Sequence, residues 1–110
     1  MLTRAHRLTS TLDYSRVVRH GARFSSSTVV VHWVDSDRVG ARVGFVVSKG
    51  VGNAPQRNLI KRRLRSLARE NLGQVSGDLV IRALPAAAKV GFEQLRNDLE
   101  RCLAKVSARV

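Results

Sequence analysis

The stretch Ala41-Arg42-Val43-Gly44-Phe45-Val46-Val47-Ser48-Lys49-Gly50-Val51-Gly52-Asn53-Ala54-Pro55-Gln56-Arg57-Asn58-Leu59-Ile60-Lys61-Arg62-Arg63-Leu64-Arg65 changes its periodicity twice. Ala41 to Val47 is short, apolar and rich in β-branched residues, which predicts a strand. Ser48 to Pro55 holds two glycines and a proline and reads as a loop. From Gln56 the apolar residues recur at helical spacing, predicting a helix to Asn71 that Gly73 closes. A strand, a loop and a long helix in immediate succession predict a chain that mixes helices with a sheet.

Working outward, Thr28-Val29-Val30-Val31-His32-Trp33-Val34 is a second β-branched run, and residues 35–40 read as a turn. The two strands flanking that turn are expected to pair as an antiparallel hairpin. Upstream, Ser10 is placed as the N-cap of a helix carrying Asp13, Tyr14, Val17 and Val18 and stopping at Gly21. Residues 1–9 are basic and polar and are expected to form a flexible arm. Downstream, Asp78 to Leu84 predicts another strand, ended by Pro85, and Phe92 to Val106 a final helix. The residues thus spell αββαβα in one domain spanning 1–110, a small α+β sandwich.

Of 110 residues, 20 are Lys or Arg and 8 are Asp or Glu, giving a net charge of +12. Sixteen of the cations are arginines, whose planar forks match phosphate and stack on bases. Such a charge balance favours polyanionic partners. The single cysteine, Cys102, excludes an internal disulfide and a cysteine-built zinc site. No run of apolar residues is long enough to cross a membrane, and the N-terminus lacks a signal-peptide core. The expected location is cytoplasmic, with no membrane partner and no small-molecule substrate.

The charge has a geometry. At about 100° per residue, with Arg57 at zero, Lys61, Arg65, Asn58, Arg69 and Arg62 fall within an arc of about 140°. Ile60, Leu64 and Leu67 fall on the opposing side, and Arg63 sits near the apolar boundary. No acid occurs between Gly40 and Arg69. Like charges four apart repel by a few tenths of a kcal/mol per pair in an isolated helix. An ordinary solvated face relieves this with glutamates; leaving it unrelieved suits a face whose counter-charge arrives with phosphates. Lys49 and the Gly50-Val51-Gly52-Asn53 loop extend the surface, because glycines let backbone N–H groups approach an anion.

Lys49 through Arg65, with its Gly-Asn-Ala step, then Arg57-Asn58, Lys61-Arg62 and Arg65, resembles the signature of the bacterial ribonuclease P protein subunit. The likeness extends to Arg7-Leu8, Asp13-Tyr14, Val18 through Gly21, Arg42-Val43-Gly44 and Val47-Ser48-Lys49. The resemblance implies a four-stranded sheet, order αββ(β)αβα, with the basic helix in a left-handed βαβ crossover. It implies binding to the catalytic RNA and to the 5′ leader of precursor tRNA. The function it implies is assistance in endonucleolytic removal of that leader, with the chemistry and its Mg2+ belonging to the RNA. It assigns RNA contact to Asn53, Arg57, Asn58, Lys61, Arg62 and Arg65, beside Lys49 and Arg69 from the charge pattern. It also implies a leader-binding cleft whose aromatic positions fall on Tyr14, Val18 and His32. Val18 and His32 depart from the family's aromatics there, and stacking is worth about 1–3 kcal/mol per base.

The remaining candidates read as structural. Trp33 and Phe45 are expected in the core. Cys102 shares an apolar helical arc with Phe92, Leu95, Leu99, Leu103 and Val106. Asp35 and Asp37 suit a turn that bonds its own backbone. The eight acids are scattered over different elements, so no catalytic residue and no metal site are assigned to the protein. Two rivals remain: a ribosomal-type RNA-binding protein, and an autonomous metal-dependent nuclease.

Overall fold

The computed structural model describes residues 8, 11–36, 40–71, 73 and 75–109. Helix α1 (Thr11–His20) leads into strands β1 (Ala22–Ser25), β2 (Val29–Val34) and β3 (Ala41–Val46). Helix α2 (Ala54–Asn71), strand β4 (Gly77–Ala83) and helix α3 (Phe92–Arg109) complete the chain. The strands form one mixed sheet in the order β1-β2-β4-β3, so the fold is α+β. Strand β1 has no counterpart in the residue-level reading: at four residues, with Arg23 and Ser25 among them, it carries no apolar run. The fourth strand implied by the resemblance is this one.

The expected hairpin is absent. β2 and β3 do not pair; β4 lies between them, antiparallel to β2 (His32 opposite Val80) and parallel to β3 (Gly44 opposite Val80). The reason is burial on both faces. Leu79, Val80 and Ile81 are all 1% exposed or less, and such a strand belongs in the centre of a sheet. β3 carries Arg42 and Gly44 on one face and tolerates an edge. A local turn signal loses to that non-local pairing. The proposed N-cap Ser10, Asp37 in the turn, and arm residues 1–7 and 9 lie outside the described residues. Leu8, from the same segment, is 3% exposed, and its N–H donates to the Val43 carbonyl at 2.9 Å.

Alternation sorts the sheet's side chains onto two faces. Val29, Val31, Trp33, Val43, Leu79 and Ile81 meet Ile60, Leu64 and Leu67 of α2 and Leu95, Leu99 and Cys102 of α3 in the main core. Burying each large aliphatic there stabilises by roughly 1.5–3 kcal/mol. Trp33 reaches the core as expected, and its Nε1–H donates to the Ser76 carbonyl at 2.7 Å. Phe45 is only partly buried at the edge of that core. On the opposite face α1 lays Val17 on Val80 and Leu8, flanked by Tyr14, Val18, Val34 and Val46.

Two carboxylates that appear unremarkable in sequence are buried. Asp98 of α3, fully enclosed, accepts from Thr28 Oγ1 (2.6 Å), Ser27 Oγ (3.2 Å), Gln94 Nε2 (3.0 Å) and Arg101 (2.7 Å). Burial alone would raise its pKa; these four hydrogen bonds outweigh that and hold it below the usual carboxylate value. It ties α3 to the β1–β2 turn. Asp78, 1% exposed at the start of β4, binds Arg16 of α1 and accepts from Arg42 Nε (3.1 Å) and a terminal nitrogen (3.0 Å) of the same side chain. Asp13 joins the same group through Arg16 and Arg42. The cluster fastens α1 to the sheet.

Candidate nucleic-acid interface

Helix α2 begins two residues earlier than its apolar periodicity suggests, because of its cap. The Asn53 Oδ1 accepts from the Gln56 N–H at 3.0 Å, and the Gln56 Oε1 accepts from the Asn53 N–H at 3.0 Å. This reciprocal pair is a capping box, and Pro55 fits inside the first turn, where a missing N–H costs nothing. Gly52 is needed just before it: a Cβ there would lie 2.1 Å from Gln56 Oε1. One oxygen of Asn53 therefore serves the helix, while the residue stays on the exposed surface beside Lys49.

The phase of α2 follows the wheel. Ile60, Leu64 and Leu67 are 2% exposed or less, and Ala68 joins them. Asn58, Arg62, Arg65 and Arg69 are exposed, and Arg57, Lys61 and Arg63 half-buried. Arg62, Arg65, Ser66 and Arg69 line a shallow groove of about 240 Å3 along the helix. Among the described residues none of these cations forms an ion pair; the acid at the helix end, Glu70, pairs instead with Arg96 of α3 at 3.4 Å. Arg57 Nε is buried without a hydrogen-bond partner. The row of charge is thus held outward by the apolar underside and left without an acidic partner among the described residues.

The three positions expected in a cleft share the α1 side of the sheet; Tyr14 and Val18 lie one turn apart on α1, and His32 stands away from Tyr14. Tyr14 and Val18 pack against the Val17–Val80 cluster. Tyr14 lies over Gly44 of β3, whereas His32 stands on β2, with Val80 of β4 between them in register. That places them about two strand spacings, roughly 10 Å, apart. His32 is 6% exposed, and neither ring nitrogen has a hydrogen-bond partner among the described residues. Burial, then Arg82, then Arg23 push its pKa below the ordinary histidine value. Arg23, its cross-strand neighbour, and Arg82 are both exposed cations on this face. Neither was singled out in the sequence: Arg82 interrupts an apolar run, and Arg23 lies in the unrecognised strand. Cys102 is buried at 1% exposure, which raises its thiol pKa.

Among the described residues no three His, Cys, Asp or Glu side chains gather as a metal-binding group, and no helix is long and apolar enough to cross a membrane. An α+β sandwich with an acid-free cationic helix face is, by its electrostatics, a polyanion-binding scaffold.

Comparison with known proteins narrows that class. The family model for ribonuclease P matches residues 2–107. The ribonuclease P protein component of a Nocardioides species is 49% identical over 115 residues, covering 100% of this chain and 98% of its own. That of Mycolicibacterium paratuberculosis is 41% identical, covering 98% and 97%. Among solved structures, the Staphylococcus aureus RNase P protein superposes with a TM-score of 0.85 at 30% identity, over 94% of this chain and 98% of that one. The Thermotoga maritima protein gives 0.79 at 25% identity, over 94% and 96%. The chain belongs to the ribonuclease P protein family, and with it to an endoribonuclease assembly of tRNA processing that includes RNA.

Proposed function

We propose that this chain is the subunit that binds the catalytic RNA of ribonuclease P through α2 and the 5′ leader of precursor tRNA on the α1 side of the sheet. It thereby assists removal of the leader to give the mature tRNA 5′ end. The observation that carries the reading is the exposed row Asn58, Arg62, Arg65 and Arg69, with Arg57 and Lys61 beside it and, among the described residues, no acid paired to any of them. A cationic face of this kind offsets repulsion between two RNA phosphate backbones and releases their counterions. Lys49 and Asn53 continue it at the helix N-terminus, whose partial positive charge also favours phosphate.

Tyr14, Val18 and His32 are the positions assigned to the leader, with Tyr14 the one aromatic among them. The protein's part is to bind and to orient. Bond cleavage is assigned to the RNA, whose Mg2+ ions supply Lewis-acid chemistry and an activated water.

The test is reconstitution. Cognate catalytic RNA is assayed on precursor tRNA at low magnesium, with and without the full chain. The reading expects leader removal to be strongly stimulated by the protein and absent with protein alone. Stimulation that does not occur, or cleavage by RNA-free protein, contradicts it.

A further inference from the structure

Between α1, the outer edge of β3 and α2 lies an open pocket of about 560 Å3 that joins the two surfaces described so far, sharing Tyr14 with one and Lys61 and Arg65 with the other. Its apolar lining is Leu8, Val43 and Phe45, Tyr14 stands in its wall, and Lys61 and Arg65 of α2 reach it from the charged helix. The volume lies in the range of sites that enclose a small ligand.

The edge strand here is already served. The Val43 carbonyl accepts from the Leu8 N–H at 2.9 Å, and the Phe45 N–H donates to the Tyr14 phenol oxygen at 3.1 Å. An entering group therefore meets apolar side chains and the Tyr14 and Phe45 rings, with the Val43 carbonyl and the Phe45 N–H already engaged. The Tyr14 hydroxyl hydrogen is not used in that bond and remains available to an acceptor.

A solute matching this lining is flat and apolar on its faces, carries acceptors on its rim, and has a negative charge within a few ångströms. An unstacked nucleotide has those properties. The cations at the mouth also belong to a longer row, continuing to Arg62 and Arg69, which suits a nucleotide that is part of a chain better than a free one.

We infer that this pocket receives one unpaired base of the catalytic RNA, with the adjoining phosphates on Lys61 and Arg65. The inference rests on the reading of α2 as the dock for that RNA and adds the base-binding site beside it. Precursor tRNA is the other possible source of such a base. The catalytic RNA is favoured because both cations at the mouth come from α2.

Thr11, the exposed first residue of α1, also lines the pocket, so Thr11→Trp fills it without removing a core side chain. The experiment maps base reactivity of the catalytic RNA with dimethyl sulfate and a carbodiimide. The RNA is probed free, bound to the full wild-type chain, and bound to Thr11→Trp or Phe45→Leu, each variant first checked for an unchanged thermal transition. Phe45→Leu keeps apolar bulk and removes the aromatic face, and it stands in if Thr11→Trp does not fold. The expected result is one unpaired base protected by wild type and reactive again with the variants, with assembly weakened about ten- to a hundredfold, as for loss of one stacked base. Backbone protections along α2 should persist.

Wild-type protection with no change in the variants overturns the pocket while leaving the helix dock standing. Protection that appears only when leader-bearing tRNA is added assigns the pocket to the leader and overturns the inference as stated. Failure of wild type to bind the catalytic RNA at all overturns the reading of α2 itself.

Discussion

Tyr14 lies on the backbone of Gly44: a Cβ added at Gly44 would fall 2.3 Å from Tyr14 Cζ and 2.4 Å from its hydroxyl oxygen. The phenol oxygen also takes the hydrogen bond of the next amide, Phe45 N–H, at 3.1 Å. The absence of a side chain on β3 thus sets the height of α1 above the sheet. Gly44→Ala should displace the ring and cost about 1–3 kcal/mol, the usual penalty of overpacking. Chemical denaturation measures that loss. With Tyr14 displaced, affinity for leader-bearing tRNA should fall more than affinity for mature tRNA; equal losses would separate Tyr14 from the leader.

Asp78→Asn should loosen the same helix from the other side. Asp78 is 1% exposed, but the side chains of its partners Arg16 and Arg42 are 39% and 26% exposed. Breaking a fully buried ion pair costs about 3–5 kcal/mol; two partly solvated cations should reduce this to about 2 kcal/mol. Urea unfolding of the full chain gives the number. A change below a few tenths would mean the cluster does not anchor α1.

Asn53→Ala removes the side-chain half of the α2 cap and should cost about 0.5–2 kcal/mol. Because the Gln56 Oε1 bond to the backbone N–H at 3.0 Å does not require the Asn53 side chain, the loss should sit toward the low end. Thermal unfolding reads the stability, and a parallel RNA titration shows whether the amide also contacts RNA.

His32 gives a signed pH dependence. Its folded pKa lies below the ordinary 6.5, through burial and the charges of Arg82 and Arg23. The unfolded chain therefore takes up a proton that the folded chain refuses as pH falls below that value. Stability contributed by neutral His32 is present above pH 6.5 and declines beneath it. His32→Phe should flatten this part of the stability–pH curve. A wild-type curve that rises on acidification through the same window would contradict the assignment.

Local periodicity carried most of the argument where the deciding neighbours are close in sequence. The phase of α2 was legible because Ile60, Leu64 and Leu67 lie a turn apart and define the buried side by themselves. So was the burial of Cys102 among Leu95, Leu99 and Leu103. What escaped depends on distant partners. The placement of β4 between β2 and β3 is a contest between a turn and a strand some forty residues downstream. The burial of Asp98 and Asp78 depends on Thr28 and Arg16, 70 and 62 residues away. The outward cations of α2 were legible for the opposite reason: with no acidic partner among the described residues, their charge reports itself in composition and spacing alone.

The most direct measurement is the affinity of the full chain for its cognate catalytic RNA across a series of salt concentrations, for wild type and for the Arg62→Ala/Arg65→Ala double variant. Each phosphate contact contributes close to one to the slope of log affinity against log salt. The expected result is a steep decline for wild type and a slope shallower by about two for the variant, with thermal stability preserved. An affinity insensitive to salt, or a variant with the wild-type slope, would contradict the claim that the outward face of α2 docks RNA.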